Sequence, residues 1–330
     1  MTSFLIVRLG SLGDVIHAIP AAAALRAAFA GARIDWLVDP RYVELLNLVE
    51  GIDRRIPVDT RGSNAALAGT LRECRRIGYD ATFDFQGLVK SAALARFAGA
   101  RKTFGFTRAH LREPAARFLY TDTVDPGDVR HVIHKNLRLV QAIGADVSRV
   151  SFPITLPRTA AVDVTSRAGE YALINPGAAW PNKRWPAARF GALAARLFEE
   201  HGIASIVLWG PGEESLGKEV VAAAAGSATL SPPTSIVDLF GLARGSRLMV
   251  SGDTGPLHIA AAVGTPVVAL FGPTDPARNG PWDPRDEVVS RMAHCICHYR
   301  RTCRRSAQCI EDISVEEVTA AARRRLVTVS

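Results

Sequence analysis

The stretch 250–276, VSGDTGPLHIAAAVGTPVVALFGPTDP, reads as a strand, a glycine turn, a helix and a second strand in succession. The first strand ends at Gly252, a helix opens near Pro256, and Val267 to Phe271 is again short and apolar. That order is the strand–helix–strand unit of a parallel sheet, so the chain is expected to be α/β. The first amides of such a helix have no partner inside it and point outward with the positive end of the dipole, which favours an anion. Gly255 lets the backbone approach a ligand closely, and Asp253 can accept hydrogen bonds from sugar hydroxyls. The competing reading is that Asp253 or Thr254 only caps the helix.

The same alternation extends outward along the chain. FLIVRL, RIDWLV, RIPVD, YDATFDF and KTFGF read as strands; VIHAIPAAAALRAAF, ELLNLV, NAALAGTLRECRRIG, KSAALARFAGA and HVIHKNLRLVQAIG read as helices. Residues 151–169 lose the periodicity and contain two prolines, which marks a linker. Beyond it YALINPG, SIVLWG, RLMVSGD and PVVALFG are expected strands, alternating with alanine-rich helices. Two doubly wound domains are therefore predicted, 1–155 and 170–330, joined by a linker at 156–169. The closing SVEEVTAAARRRLV is an amphipathic helix, free to pack back on the first domain, with Arg323 to Arg325 expected on its solvated face.

Composition supports a packed soluble chain, with 48% hydrophobic and 22% charged residues. The net charge of +8 should attract anions: nucleotide phosphates, nucleic acid or an acidic membrane surface. No signal peptide or membrane-length apolar run is read, so a cytoplasmic protein able to rest on a membrane is expected. Cys74 stands alone, while Cys295, Cys297, Cys303 and Cys309 cluster with His294 and His298. One residue separates the two closest thiols, unlike the usual zinc spacing, and no metal ligand is assigned. Reduced thiols, a metal site and a disulfide remain open readings of this cluster.

Ligands of open α/β sheets bind beyond the carboxyl ends of the strands. Four loops there are unusual: 10–14, 175–186, 210–214 and 251–258. Lys183, between Trp180 and Trp185, can neutralise a phosphate as a point charge. Glu213 and Glu214 follow another strand, where a carboxylate can hold ribose hydroxyls. The chain lacks both the P-loop and the G-x-G-x-x-G pattern, which leaves a nucleotide of another binding class. Asp14, in RLGSLGDVIHAIP (8–20), is either a helix cap or, opposite a sugar nucleotide, a general base for an acceptor hydroxyl. The basic residues are dispersed among loops without an aromatic platform, which argues against nucleic acid.

In their order along the chain, GSLGDVIHAIP, DFQGLVKSA (84–92), LREPAARFLY (111–120), NKRWP, SGDTGPLHIAAA and FGPTDP resemble glycosyltransferase family 9, the lipopolysaccharide heptosyltransferases, and most closely the heptosyltransferase I branch. The resemblance implies a GT-B fold, two facing Rossmann-like domains with the acceptor on the first and the nucleotide sugar on the second. It implies Asp14 as the catalytic base. On the donor side it implies Lys183, Glu214, Asp253, Thr254, Gly255 and His258, with backbone amides at Ala178 and Ala179. On the acceptor side it implies Gly13, Lys90, Arg112, Lys135 and Arg61. A buried core histidine is the alternative for His258, and a solvated basic face is the alternative for the four cations.

The implied reaction is an inverting, metal-independent transfer of L-glycero-D-manno-heptose from ADP-heptose to a Kdo residue of Kdo-lipid A. ADP-heptose is then a substrate and no cofactor is expected. The partners implied are this donor, an anionic lipid-linked saccharide and the cytoplasmic face of the inner membrane. A heptosyltransferase II-like enzyme, another sugar donor, or a nucleotide-sugar-binding protein without chemistry are the rival readings.

Overall fold

A computed structural model of the 330-residue chain describes residues 2–159 and 169–327. Most of the expected linker, 160–168, lies outside the described residues. The chain divides into two compact units, Met1–Thr155 and Leu156–Ser330.

The first unit is built on a six-stranded parallel sheet. Its strands are β1 (Ser3–Val7), β2 (Arg33–Val38), β3 (Arg54–Pro57), β4 (Ala81–Asp84), β5 (Lys102–Phe106) and β6 (Asp122–Val124). They lie in the order β3-β2-β1-β4-β5-β6. Every residue of β1 and β4 is buried, as a parallel sheet covered on both faces requires. The single helix expected from Val15 onward is two, Leu12–Ile16 and Ile19–Ala28. Pro20 causes the break: it has no N–H to give and its ring collides with the carbonyl four residues back, so it is accommodated only where a helix starts.

The second unit repeats the plan. Its strands are β7 (Tyr171–Asn175), β8 (Ala204–Val207), β9 (Ala228–Leu230), β10 (Leu248–Gly252), β11 (Val267–Phe271) and β12 (Glu287–Ser290), in the order β12-β11-β10-β7-β8-β9. Read from the other edge, that is the same 3-2-1-4-5-6 order as in the first unit, the doubly wound Rossmann arrangement. Strand order therefore reverses between β1 and β4 and again between β7 and β10. The edge strands β6, β9 and β12 escape the sequence reading because each is short and half-exposed, with no apolar run to mark it.

The closing helix, Val315–Val327, packs on the Ala187–His201 helix and on β11 and β12 of its own unit. Val318, Ala321, Ala322 and Leu326 join the core around Trp185, whose indole N–H donates to Ile313 O (2.9 Å). Of the arginine run, Arg323 and Arg324 lie on the solvated face as expected, whereas Arg325 does not. Arg325 is buried against Asp286 (2.8 Å), while Arg323 and Arg324 reach Glu200 and Glu287. Each arginine of the run thus has an acidic partner on a different element, which no spacing within the helix discloses.

Gly105 on β5 offers a direct test of the packing. A Cβ there would lie 2.2 Å from the ring of Tyr120, whose hydroxyl donates to buried Asp84 (2.7 Å) and so cannot swing away freely. Gly105→Ala should cost about 1–3 kcal/mol in urea unfolding. Gly69→Ala, in the Asn64–Ile77 helix with nothing within 4 Å, should instead stabilise by about 0.5–1 kcal/mol.

Candidate active site

In the second unit the loops after β7 and β10 meet where the strand order reverses. The Asn175 amide, at the end of β7, lies within hydrogen-bond distance of Gly177 O (3.1 Å), Ser251 Oγ (3.0 Å) and Thr254 Oγ1 (3.0 Å). With its hydroxyl engaged this way, Thr254 does not cap the Gly255–Ala262 helix that it precedes. The leading amides of that helix are left to an outside acceptor. They open on a cleft of about 220 Å³ whose lining includes Ala178, Ala179, Trp209, Glu213, Thr254 and Gly255.

Glu213 is the acidic side chain of this cleft. Its carboxylate takes hydrogen bonds from Arg184 (3.2 Å) and the Gly210 N–H (3.3 Å), and Arg184 also donates to Ala178 O (2.8 Å). A Cβ at residue 177 would lie 2.0 Å from the Glu213 carboxylate, so the carboxylate takes this position in space that the glycine leaves open. Glu214, expected on the donor side, is not among the residues lining this cleft. That residue opens the Glu214–Ala223 helix, is exposed, and pairs with Lys218 one turn on (2.7 Å). Glu213 stays in the turn before the helix, and the sequence offers two adjacent glutamates with no signal to choose between them.

Next to the cleft, outside its lining, Asp253 gathers three partners. Lys183 Nζ is 2.5 Å from Oδ2, the Thr274 hydroxyl donates to the same oxygen (2.8 Å), and His258 Nε2 is 3.5 Å from Oδ1. Burial alone would raise the pKa of this carboxyl, but the bond from His258 and the charge of Lys183 prevail and hold it well below the usual carboxylate range. The ammonium also lies 4.7 Å from the centre of the Trp180 ring. His258 is buried, as its core reading expects, with its Nε2 against Asp253.

In the first unit the loops after β1 and β4 make the corresponding meeting. Arg8 leaves β1 with its side chain buried, donates to Phe85 O (2.5 Å) and pairs with Asp14 Oδ1 (2.5 Å). The other Asp14 oxygen accepts from the Ser11 N–H and hydroxyl, both at 3.0 Å. Asp14 thus does what a capping residue does, yet its side chain keeps 34% exposure. Gln86 ties the two loops by accepting from the Leu9 N–H (3.0 Å). Beneath them Asp84 accepts from Tyr120, Ser91 and the Gln86 amide, and burial pushes its pKa up. Neither Arg8 nor Asp84 stands out in the sequence, because both read as the ends of strands.

Three of the expected acceptor residues, Lys90, Arg61 and Arg112, fall on segments that touch one another within this unit. Lys90 Nζ donates to Thr60 O (2.8 Å), which brings the exposed Arg61 loop beside it. Glu113 accepts from the Val89 N–H (2.7 Å), which brings the Arg112 segment to the same place. Lys135 lies on the Val132–Gln141 helix, where neighbouring Asn136 donates to His17 O (3.0 Å) at the end of the helix that carries Asp14. Gly13 is buried inside that short helix, its carbonyl accepting from the His17 N–H (2.9 Å).

Cys295, Cys297 and Cys309 are buried together with Cys303 packed against them, and Cys295 Sγ is 3.5 Å from Cys297 Sγ. All five cysteines are free in this structure. Burial pushes the Cys297 thiol up to about 12. Among the described residues no group of three or more histidine, cysteine or acidic side chains is arranged to hold a metal ion.

Known proteins bear on these two sites. The model of glycosyltransferase family 9 (heptosyltransferase) matches residues 65–308. Lipopolysaccharide heptosyltransferase 1 of Pseudomonas aeruginosa is 31% identical over 91% of this chain and 86% of its own length. The structure of Escherichia coli heptosyltransferase WaaC with ADP superposes with a TM-score of 0.81 at 26% identity, covering 98% of this chain and all 100% of that one. The same enzyme with ADP-2-deoxy-2-fluoro heptose gives 0.79 at 25% identity, covering 98% and 99%.

The Lys183–Asp253 pair makes a measurable claim on stability. Asp253→Ala leaves a largely buried ammonium without its counter-charge and should cost about 3–5 kcal/mol. Replacing both partners together by Met and Leu should recover most of that loss in the same urea titration, because no unpaired charge then remains.

Proposed function

Because the chain belongs to glycosyltransferase family 9, the heptosyltransferases, and is a glycosyltransferase, we propose that it transfers L-glycero-D-manno-heptose from ADP-heptose to a Kdo residue of Kdo-lipid A in building the lipopolysaccharide inner core. The observation that carries this reading is Asp14. It is a carboxylate fixed at both oxygens by Arg8 and Ser11 yet one-third exposed, at the carboxyl edge of a sheet whose surrounding loops present Lys90, Arg61 and Arg112.

The first unit is the acceptor side, and its cations meet the carboxylates and phosphates of an anionic saccharide. The second unit is the donor side. The amides at Thr254 and Gly255 meet the diphosphate, those at Ala178 and Ala179 assist, and Glu213 takes the ribose hydroxyls. Lys183 exchanges its bond to Asp253 for a phosphate oxygen, and Asp253 then holds heptose hydroxyls with His258 behind it.

The chemistry is a single displacement with inversion. The Kdo hydroxyl loses its proton to Asp14 as its oxygen bonds to the anomeric carbon of heptose, and the bond from that carbon to the diphosphate oxygen breaks on the opposite face. Positive charge develops on the sugar ring and negative charge on the departing ADP. Lys183 and the amides of the Gly255–Ala262 helix stabilise the latter, so the charge on the leaving group is met by the protein and the transfer is metal-independent. The lipid-linked acceptor places the work at the cytoplasmic face of the inner membrane; among the described residues no helix is long and apolar enough to cross it.

Asp14→Asn should retain affinity for ADP-heptose in calorimetry while kcat falls by about 100- to 10,000-fold in a product assay on Kdo-lipid A. Normal turnover by that variant would remove Asp14 as the base. Lys183→Ala should weaken ADP-heptose binding and turnover together, whereas unchanged ADP affinity would take it out of the phosphate site. Tighter binding of another sugar nucleotide than of ADP-heptose would replace the donor assignment.

A further inference from the structure

The first unit exposes three large apolar side chains among its described residues, and they are not scattered. Val89 (41% exposed) and Phe97 (51%) lie on the Val89–Phe97 helix, and Phe118 (82%) lies on the Pro114–Leu119 turn of 3-10 helix packed against it. A phenylalanine left four-fifths in water forfeits the burial that ordinarily stabilises it, and two neighbouring elements doing so marks a contact surface.

The charge around this apolar patch is one-sided. Residues 88–120 contain seven lysines and arginines against one acidic residue, Glu113, so a tenth of the chain bears most of its net charge of +8. Arg101 and Lys102 are partnered by Asp80 and Asp122. Arg96, Arg108 and Arg112 are exposed, flank the aromatic side chains in sequence, and have no acidic partner among the described residues. The one carboxylate of the segment is turned to the Val89 amide. Exposure alone does not make such a face: Phe198 in the second unit is equally exposed (51%), but Glu199 and Glu200 follow it directly.

We propose that the face formed by the Val89–Phe97 helix and the Pro114–Leu119 turn docks on an anionic bilayer. Phe97 and Phe118 enter the headgroup region, and Arg96, Arg108 and Arg112 lie along the lipid phosphates. Aromatic side chains supply apolar burial, and long arginines bridge from an apolar surface to charged headgroups, which is the division of labour of an interfacial binding face. Lys90 begins the same helix, so the docking face runs directly into the proposed acceptor loops. A lipid-anchored saccharide can then be taken from the membrane without leaving it. That last consequence rests on the acceptor reading above; the docking itself does not.

Vesicles of phosphatidylglycerol and phosphatidylethanolamine, containing no acceptor, test the docking alone. The full chain should co-sediment with them, should bind phosphatidylcholine vesicles far less, and should be released by salt. Phe97→Ser combined with Phe118→Ser should lower binding to the anionic vesicles by about tenfold or more, with unchanged unfolding and unchanged turnover on a lipid-free Kdo acceptor. Phe198→Ser should bind as the parent does. Equal binding by the double variant and the parent overturns the proposal. So does loss of binding only on Ile296→Ser, which alters the other exposed apolar and basic stretch of the chain. If docking holds while Kdo-lipid A is not a substrate, the acceptor reading fails and the membrane face stands.

Discussion

A parallel sheet whose strand order reverses sends the connections of two adjacent strands to opposite faces, which leaves a gap at their carboxyl ends that no helix can cover. Both units are organised by that constraint. In the first, β1 and β4 part and the gap holds Arg8, Asp14 and Gln86; in the second, β7 and β10 part and the gap holds Asn175, Glu213 and Thr254. The strands that flank each gap, β1, β7 and β10 among them, are buried along their whole length.

The buried ion pairs divide along the same axis. Arg325 and Asp286 are nearly inaccessible, and Asp286 also accepts from the Val267 amide, so this pair sits where β11 and β12 begin. Arg33, Asp35 and Tyr79 form a similar group at the start of β2. These groups fasten one element to another. Arg8–Asp14 and Lys183–Asp253 sit instead at carboxyl ends, where one partner of each borders an open loop. Desolvating two charges is costly either way. At the amino ends the return is attachment of a helix or strand; at the carboxyl ends it is a charged group held in one orientation beside space that a ligand can occupy.

Much of this was legible in the sequence, since a short apolar run followed by glycine and a helix announces a strand-end loop. That signal places Asp14, Thr254 and Gly255 just beyond the ends of strands, and NPG places Lys183 after another, as the structure has them. What the sequence did not disclose shares a cause. That Glu213 and not Glu214 lines the cleft depends on its place against Gly177, thirty-six positions away. The burial of Arg325 depends on Asp286, and the edge strands depend on a neighbour's backbone and not on their own apolar content. Local pattern encodes which face of an element is apolar; it does not encode which distant side chain will take up a charge. The split at Pro20 is different, because it is a local rule that outranks the helical periodicity around it.

The two units also handle charge by different means, and the proposed transfer gives a reason. On the donor side negative charge grows during the reaction. It is best met by groups that need no rearrangement: the fixed amides of a helix start and a lysine whose ammonium is already largely desolvated against Asp253. On the acceptor side the saccharide and lipid phosphates bear the same charge before and after. Exposed side chains such as Arg61, Lys90 and Arg112 suffice there, since their task is to attract and orient and not to follow a changing charge. A preorganised dipole cradle in one unit and an exposed basic rim in the other are what the proposed sugar transfer between a soluble diphosphate and an anionic surface calls for.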